Sequence, residues 1–404
     1  MKRPPVIGAV EIGTSNVKVL VGEITAQRGL KIIGKGTCET RGIAKGEIID
    51  FKAVNNCTHT AIYQAEQYAG HSIDGIYFAE TGSHLDSFFN ESMVTVKSSD
   101  NIVSPSDLER VKEEAKDKEL PPNRLYIHHL LNHCILDGEK VVDPVGMYGE
   151  KLSIGYWCIT GDENKVRNQV GIFNGMSLDV DDMILSSLAS GMMMASHEEK
   201  KQGILIVDMG KGTTDYAVYK NGYVVCCGVI PVGGDHITND LRLGLRINSS
   251  QAEYLKCTQA QAWIEQKNAE QRVWVSGDKT IGDIYLPLIN VERIVNARVQ
   301  ECFQILRERI ESHIPMNEIP MGCVLTGGTS KLRSIERVAA QELGIEVRRG
   351  SHAALGVEEQ LAQPEYSTAL GLFLFALSAG EREDKPAEAP KFSRFIKKLK
   401  RLAT

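Results

Sequence analysis

Apolar residues form a continuous run at 204–207, followed by a glycine-containing turn and a second, mixed apolar segment at 215–219. A run without polar interruptions is typical of a strand that is buried on both faces. The second segment ends at Asn221-Gly222, a dipeptide that favours tight turns. The pattern predicts two neighbouring strands joined by a short turn.

The turn between these strands has the composition of an anion-binding loop. Its two glycines allow main-chain N–H groups to point inward around an anion, and its two threonines add hydroxyl donors. Carboxylates stand at both ends, and carboxylates beside phosphates require a cation between them, usually Mg²⁺. We therefore predict a clamp for a Mg²⁺-nucleotide; an ordinary hairpin is the alternative. The residues concerned are Asp208, Gly210, Gly212, Thr213, Thr214 and Asp215.

A segment near the N-terminus repeats the same plan. It has a carboxylate, a glycine at the same spacing, hydroxyl residues and an apolar strand, in that order: Glu11, Gly13, Thr14, Ser15 and residues 17–21. Glu11 aligns with Asp208, and Gly13 aligns with Gly210. Two related units about half a chain apart predict a duplicated architecture with a nucleotide between the halves.

Three further segments complete a set of five motifs that span residues 10–371. Residues 324–332 look like an adenosine loop, and residues 185–191 and 366–371 look like two helices that connect a pair of lobes. The set resembles the superfamily of actin, sugar kinases and seventy-kilodalton heat-shock proteins. The resemblance implies an α/β, actin-like, duplicated two-lobed ATPase fold with ATP and Mg²⁺ in the cleft.

The same resemblance implies which residues contact the nucleotide. Glu11 and Asp208 are expected to hold Mg²⁺ through its water ligands. Glu253 and Lys256 are expected near ribose and adenine, although a Glu and a Lys three positions apart on a helix ordinarily form a surface pair. The implied nucleotide-binding residues are Gly13, Thr14, Ser15, Lys18, Gly210, Lys211, Gly212, Thr213, Thr214, Gly234, Glu253, Lys256, Gly327, Gly328 and Lys331.

Residues 177–195 are predicted to be helical, with Asp181 and Asp182 one turn before the connecting-helix segment. The superfamily alignment favours Asp182 as the residue that orients the attacking water. The alternative is a pair of solvated carboxylates near a helix N-terminus, where the helix dipole favours negative charge. Hydrolysis stays open, because the sequence offers no unambiguous catalytic base.

Residues 83–163 carry no nucleotide motif and are predicted to be an inserted subdomain with a charged helix at about 106–118. Two features narrow the family: Arg41-Gly42-x-x-Lys45-Gly46 and the Asp-Pro-Val-Gly-Met-x-Gly-x-x-Leu element at 143–152. Together they resemble FtsA, the bacterial actin homologue of the division septum. That resemblance implies that the insertion replaces the small actin subdomain and lies on the other side of the molecule.

The expected domains follow from these assignments. Residues 1–82 with 164–200 form the first actin-like core subdomain, 83–163 the insertion, 201–240 with 318–377 the second core subdomain, 241–317 the small subdomain of the second lobe, 378–390 a linker and 391–404 an amphipathic helix.

The C-terminal segment predicts a helix that lies in an anionic membrane surface. Five apolar residues fall on one helical face, and six Lys or Arg residues with no acid among them occupy the remainder. Docking against the protein body is the alternative, but it does not explain why every charge is positive. The membrane-contacting residues are predicted to be Phe392, Phe395, Ile396, Leu399, Leu402, Lys397, Lys398, Lys400 and Arg401.

The FtsA resemblance further implies partners. The helix predicted at 291–311 belongs to a small subdomain that receives the acidic C-terminal tail of FtsZ, and Arg298 suits a carboxylate; a solvated surface arginine is the alternative. The resemblance also implies self-association into filaments, recruitment of later division proteins, and a peripheral location on the cytoplasmic side of the inner membrane, at the septum.

Two other functions are considered. A pilus-assembly actin homologue is the main alternative. A sugar kinase is a more distant one, because a kinase needs a further, sugar-facing aspartate.

Composition changes this picture little. The 404 residues carry a net charge of −6, which argues against general binding of nucleic acid. Nine cysteines without CxxC spacing favour reduced thiols. No signal peptide is expected, because residues 1–5 lead directly into the first strand, and the apolar run at 370–377 is too short to span a bilayer.

Overall fold

The computed structural model describes residues 5–24, 30–268, 270–277, 283–351 and 358–383. The predicted membrane-binding helix at 391–404 lies outside these residues, as do residues 384–390 of the predicted linker. Within the described part, no helix is both long enough and apolar enough to span a bilayer.

The first lobe opens with the predicted hairpin, whose apolar strands lie inside a sheet. Asp50 begins the first helix by accepting a hydrogen bond from the Ala53 N–H at 3.1 Å, and Gly70 ends it in the left-handed conformation. The elements are β1 (Val6–Ile12), β2 (Asn16–Ile24), β3 (Leu30–Glu39), β4 (Ile43–Ala44), β5 (Glu47–Ile48), α1 (Phe51–Ala69) and β6 (Gly75–Glu80).

The inserted subdomain follows and has a hydrophobic core of its own. Its elements are β7 (Asp86–Thr95), α2 (Pro105–Lys116), β8 (Arg124–Leu136), β9 (Glu139–Lys140) and β10 (Lys151–Asp162). The antiparallel sheet has the strand order β7-β10-β8-β9. Val111 and Ala115 of α2 share a core with Leu152 and Ile154 of β10, separate from the main core. The insertion is therefore a packing unit in its own right.

The chain then returns to the first lobe through α3 (Glu163–Asn174), β11 (Val180–Leu185), α4 (Ser186–Met194) and α5 (His197–Gln202). The helix predicted over 177–195 is wrong in its first half, where β11 pairs in parallel with β6. The apolar residues of 180–185 belong to a sheet edge that the chain reaches only after the insertion, so the local pattern does not reveal this pairing.

The second lobe contains β12 (Ile204–Met209), β13 (Thr214–Lys220), β14 (Tyr223–Ile230), α6 (Gly234–Leu245), α7 (Ser249–Thr258), β15 (Arg272–Val275), β16 (Ile284–Pro287), α8 (Leu288–Glu311), β17 (Cys323–Thr326), α9 (Ile335–Leu343), β18 (Val347–Arg349) and α10 (Ser367–Glu383). Helix α10 continues through residues 378–383, which the sequence pattern assigns to the linker.

The two lobes repeat one sheet topology. The first sheet has the order β3-β2-β1-β6-β11 and the second β14-β13-β12-β17-β18. In each sheet the first three strands are antiparallel, and the last two run parallel to the central strand. The shared strand order is independent of the sequence motifs and supports the duplication that they predict.

Helices α4 and α10 cross between the lobes at very short range. A Cβ placed on Gly371 of α10 would lie 1.9 Å from the backbone oxygen of Ala189 in α4. Only glycine permits that approach, because any side chain at this position would force the helices apart. The two connecting segments recognised in the sequence are thus in direct contact.

The insertion also touches the second lobe. Ser87 Oγ donates to the Cys227 backbone oxygen at 2.7 Å, and Trp157 Nε1 donates to the same oxygen at 3.3 Å. Asn132 Nδ2 donates to the Val224 oxygen at 3.0 Å. Both acceptors belong to the edge strand β14, so the insertion bridges the two lobes.

Candidate functional site

A cleft of about 300 Å³ lies between the lobes, where the turns that follow their central strands meet. Its walls come from both lobes and from the connecting helices. The lining residues are Glu11, Ile12, Gly13, Thr14, Ser15, Asn16, Lys18, Ala79, Thr81, Ser186, Asp208, Gly210, Lys211, Gly212, Thr213, Asp215, Glu253, Lys256, Cys257, Gly327, Gly328, Thr329, Lys331, Glu365 and Thr368.

The two predicted phosphate loops have the same internal geometry. The Gly13 N–H donates to the Asn16 oxygen at 3.1 Å, and the Gly210 N–H donates to the Thr213 oxygen at 2.9 Å. Glu11 pairs in register with Lys18, as Asp208 pairs with Asp215. The loops are equivalent turns that face each other across the cleft.

Two glycines let chain segments pack together at the cleft more closely than any side chain would allow. A Cβ on Gly212 would lie 2.4 Å from Thr14 Oγ1 of the opposite lobe. Gly327 has a φ of +82°, and a Cβ there would lie 2.3 Å from Asp208 Oδ1. Glycine at both positions thus brings the two phosphate loops and the loop at 327 into direct contact around the carboxylate of Asp208 and the hydroxyl of Thr14.

Glu11 and Lys18 form a buried ion pair on the first-lobe side. Lys18 Nζ lies 2.9 Å from Glu11 Oε1 and also donates to the Glu365 backbone oxygen. Burial raises the pKa of Glu11, and Asp208 raises it further, although Lys18 opposes both. The other carboxylate oxygen, Oε2, is buried without a hydrogen-bond partner among the described residues.

Asp215 occupies the position in the second lobe that Lys18 occupies in the first. Its carboxyl accepts from Thr81 Oγ1 at 2.7 Å and from Thr213 Oγ1 at 2.9 Å. Burial, followed by the nearby charge of Asp208, raises the pKa of Asp215 to about 8. Without a bound cation, this carboxyl is largely protonated at neutral pH.

Asp208 joins the phosphate-loop strand to both connecting helices. Its Oδ2 accepts a hydrogen bond from Ser190 of α4 and another from Thr368 of α10, the latter at 2.8 Å. These two hydroxyls also contact each other at 2.8 Å. The carboxylate at the cleft is therefore coupled directly to the helices between the lobes.

The cleft wall also holds the predicted adenosine residues. Lys256 Nζ donates to Glu253 Oε2 at 2.6 Å, to Thr238 Oγ1 at 2.9 Å and to the Gly234 oxygen at 3.2 Å. Lys331 Nζ donates to Glu365 Oε1 at 2.5 Å. These polar groups are already oriented by one another before any ligand arrives.

Most of the predicted nucleotide-binding residues line the cleft, but three predicted site residues do not. Gly234 contributes its carbonyl to Lys256, and Thr214 is fully buried, with its hydroxyl donating to the Val232 oxygen at 2.7 Å. Asp182 lies in β11 rather than on a helix, and its Oδ1 accepts from the Met183 N–H at 2.9 Å. The structure gives Asp182 no place beside a ligand in this cleft.

Sequence reasoning missed several residues that the fold brings to the cleft. Thr81 follows β6, whereas Glu365 and Thr368 lie together around the start of α10. For Thr81 alone, the local sequence gave an indication of this position: Thr81 follows the end of a strand, as Gly327 does in the second lobe. Thr368 lay within a recognised segment, but the partner of its hydroxyl is visible only in three dimensions.

Arg298 lies on α8, and its guanidinium is already bound. Nε donates to Asp240 Oδ2 at 2.6 Å, Nη2 donates to Asp240 Oδ1 at 3.2 Å, and Nη1 donates to Glu301. A role for Arg298 in binding an acidic partner remains a prediction, and such a partner would compete with these two carboxylates.

The donor set fits a hydrated Mg²⁺ better than a directly coordinated metal. Among the described residues, no three His, Cys, Asp or Glu side chains converge as a metal site. Glu11, with its partnerless oxygen, and Asp208 instead interact electrostatically in the same cleft. Mg²⁺ usually retains several waters beside one or two carboxylates, which suits this arrangement.

Comparison with known proteins identifies the family. A model of cell division protein FtsA matches residues 205–371, and a model of the SHS2 domain inserted in FtsA matches residues 82–160. The chain is 32% identical over 375 residues to cell division protein FtsA of Pseudomonas aeruginosa, covering 92% of this chain and 89% of that protein. This chain belongs to the FtsA family. It is also 30% identical over 369 residues to the Bacillus subtilis FtsA, covering 91% of this chain and 82% of that one.

Solved structures confirm the actin-like fold. A type IV pilus biogenesis complex, PilM-PilN, matches with a TM-score of 0.64 and 16% identity, over 93% of this chain and 98% of that one. MreB5 of Spiroplasma citri bound to ADP matches with a TM-score of 0.58 and 13% identity, over 94% and 99%. The predicted fold class is therefore correct, and the insertion is the SHS2 domain of the FtsA family.

Proposed function

We propose that this FtsA-family protein binds ATP with Mg²⁺ in the central cleft, assembles into filaments on the cytoplasmic surface of the inner membrane, and tethers FtsZ filaments there. Later division proteins then join through the assembled complex. The observation that carries the nucleotide part is the pair of equivalent turns with identical internal hydrogen bonds, Gly13 to Asn16 and Gly210 to Thr213.

The residues around these turns suit a triphosphate. Main-chain N–H groups and the hydroxyls of Thr14 and Ser15 supply neutral donors, and Lys18 supplies a buried positive charge. The carboxylates of Glu11 and Asp208 would hold Mg²⁺ through its waters, and the bound ion would supply positive charge beside the phosphates. Nucleotide-bound MreB5, of the same fold, supports this assignment by analogy.

We propose Asp215, in place of Asp182, as the residue that orients an attacking water. It lies on the cleft wall beside Thr81 and Thr213, whereas Asp182 does not. A bound cation lowers the pKa of a nearby carboxyl, so nucleotide with Mg²⁺ would ionise Asp215 and allow it to orient water. Turnover is expected to be weak, because nucleotide mainly controls assembly.

Membrane attachment rests on the sequence of residues 391–404. Five apolar side chains contribute at most about 7–15 kcal/mol when fully buried. Six cations add at most about 1 kcal/mol each near anionic lipid, and ordering the segment costs about 1–2 kcal/mol per residue. One tail therefore binds reversibly, and many tails on one filament bind durably through their high effective concentration.

Pelleting with vesicles tests the whole proposal. Full-length protein is expected to sediment with phosphatidylglycerol vesicles in the presence of ATP and Mg²⁺, and to carry an FtsZ tail peptide with it. Deletion of residues 391–404 is expected to abolish sedimentation while leaving ATP binding intact. Unchanged sedimentation of the deletion variant would exclude the tether, and absence of ATP binding would exclude the nucleotide site.

A scaffold for pilus assembly is the neighbouring alternative, and PilM-PilN shares the fold. Identity of 29–32% to FtsA proteins over most of the chain, against 16% to PilM-PilN, favours the division role. No observation in the described residues favours a sugar kinase.

A further inference from the structure

The motif Arg41-Gly42-x-x-Lys45-Gly46 helped to narrow the family but has no part in the nucleotide site described above. We propose that Lys45 is a phosphate-sensing residue that contacts the terminal phosphate of ATP and thereby distinguishes ATP from ADP. This inference rests on the proposed nucleotide function and deepens it.

The backbone of Lys45 lies directly against the second phosphate loop. A Cβ on Gly212 would be 3.2 Å from Lys45 Cα and 2.4 Å from Thr14 Oγ1. Three chain segments, carrying Thr14, Lys45 and Gly212, thus converge where the two phosphate loops meet. With the nucleotide between these loops, as proposed above, its outermost phosphate is expected beside this junction.

The loop that carries Lys45 is held in a defined position. The Ser83 N–H donates to the Lys45 oxygen at 3.2 Å, and a Cβ on Gly46 would be 2.8 Å from the Gly82 Cα. Glu47 is anchored by Lys165 Nζ at 2.6 Å. These contacts fix the loop beside Thr81, the residue that donates to Asp215.

Lys45 itself has a backbone conformation that non-glycine residues rarely adopt. Its φ is +51°, between two glycines at +85° and +75°. Such a conformation costs free energy and persists where the surroundings enforce it. The fold therefore holds this lysine in place at the junction of the two lobes.

Charge distinguishes Lys45 from the lysines that line the cleft. Each of those four is paired with a carboxylate: Lys18 with Glu11, Lys211 with Asp235, Lys256 with Glu253 and Lys331 with Glu365. Lys45 is exposed, and no carboxylate among the described residues lies within ion-pair distance of it. Its ammonium group is thus available for a phosphate without the loss of an existing ion pair.

The chemical consequence is selectivity for the nucleotide with three phosphates. ATP and ADP share every group except the terminal phosphoryl, so a cation at the junction adds affinity for ATP alone. Because Lys45 belongs to the first lobe and Gly212 to the second, the contact also favours the arrangement in which the lobes are closed.

The test is calorimetric titration of the full chain with Mg²⁺-ATP and Mg²⁺-ADP. Lys45→Gln keeps a Cβ and similar length but removes the charge, and is expected to raise the Kd for ATP about tenfold, as for loss of a charge-assisted hydrogen bond, while changing the Kd for ADP less than about twofold. Lys45→Arg is expected to retain most of the preference. Lys52→Gln, an exposed lysine at the start of α1, is the matched control and is expected to leave both constants unchanged.

Equal weakening of ATP and ADP by Lys45→Gln would reduce Lys45 to a general electrostatic contribution and overturn the inference. Unchanged affinity for ATP would overturn it as well. Failure of the unaltered protein to bind either nucleotide is a different result, because it would overturn the proposed function itself. Circular dichroism melting of each variant confirms that the comparison is between folded proteins.

Discussion

Equivalent positions in the two lobes carry opposite charges. Lys18 pairs in register with Glu11, and Asp215 pairs in register with Asp208. The first lobe thus presents a neutralised pair, whereas the second presents two carboxyl groups that repel each other when ionised. The asymmetry suits a ligand that brings a cation to the second lobe and phosphates between the two.

The raised pKa of Asp215 predicts the direction in which stability changes with pH, and thermal melting can check it. In the unfolded chain this carboxyl ionises near 3.8, and in the folded chain near 8. Its contribution to stability is therefore fully present below pH 4 and is lost as the pH rises through 8. Asp215→Asn cannot ionise, so its melting temperature relative to the unaltered protein is expected to rise by about 2–6 °C between pH 5 and pH 9.

Thermal melts at several pH values without nucleotide give this comparison. Glu119→Gln, at an exposed carboxylate of the insertion, is the control and is expected to show no such trend. A difference between Asp215→Asn and the unaltered protein that does not vary with pH would mean that Asp215 titrates normally.

Arg298 gives a second prediction at this scale. Its bidentate pairing with Asp240 links α8 to α6. Arg298→Ala is expected to lower the affinity for an FtsZ tail peptide and also to destabilise the protein by about 1 kcal/mol, because Asp240 loses its partner. Fluorescence anisotropy with labelled peptide measures the first effect, and denaturant unfolding measures the second.

Asp240→Asn separates the two roles of Arg298. If Arg298 binds the peptide, this variant is expected to bind it more tightly, since a competing carboxylate has gone. Peptide affinity that falls in both variants would point to the helix pair rather than to the guanidinium.

The candidate site was largely predictable because its donors lie in short local patterns. Gly13, Thr14, Gly210 and Gly212 stand in turns whose chemistry is readable from neighbouring residues. Asp182 lies in β11, where the sequence pattern predicted a helix, and is not among the residues that line the cleft. Thr81 and Thr368 were missed because their roles depend on partners more than 130 residues away.

At the level of elements, the crossing of α4 and α10 depends on one glycine. Gly371→Ala would place a methyl group 1.9 Å from the Ala189 oxygen, so the helices must separate. A loss of about 1–3 kcal/mol in unfolding free energy is expected, as for overpacking in a core. Chemical denaturation measures it.

Gly171 in α3 offers a matched control for that substitution. A Cβ there meets only Phe51 at 3.9 Å, an ordinary contact. Gly171→Ala is expected to be neutral or stabilising by up to about 1 kcal/mol, because alanine favours helix. Equal changes in the free energy of unfolding for Gly371→Ala and Gly171→Ala would contradict the close crossing of α4 and α10.

Elements with a clear hydrophobic periodicity were predicted well. Elements whose conformation depends on pairing with a distant strand were not. The helix predicted at 291–311 is confirmed as α8, which spans Leu288–Glu311. β11 did not, because six apolar and acidic residues fit a strand or a helix until β6 is present to pair with them. α10 extended into a polar segment because the preceding apolar turns continue the helix.

For the whole molecule, nucleotide is expected to stabilise the folded state in proportion to its concentration. A ligand at 100 times its Kd adds about 2.7 kcal/mol to the free energy of unfolding. The melting temperature of the full chain should therefore rise with Mg²⁺-ATP, and rise less when EDTA removes the ion. A melting temperature independent of ATP concentration would argue against the cleft as a nucleotide site.

The contact between the insertion and β14 allows rotation of the lobes to be followed by fluorescence without an added label. The indole of Trp157 is buried there and donates to the Cys227 oxygen, which Ser87 also uses. If ATP turns the second lobe against the first, that indole loses or gains a polar neighbour, and its emission wavelength shifts. Substituting the other two tryptophans, Trp263 and Trp274, by phenylalanine would leave a chain with one intrinsic optical reporter of its own hinge.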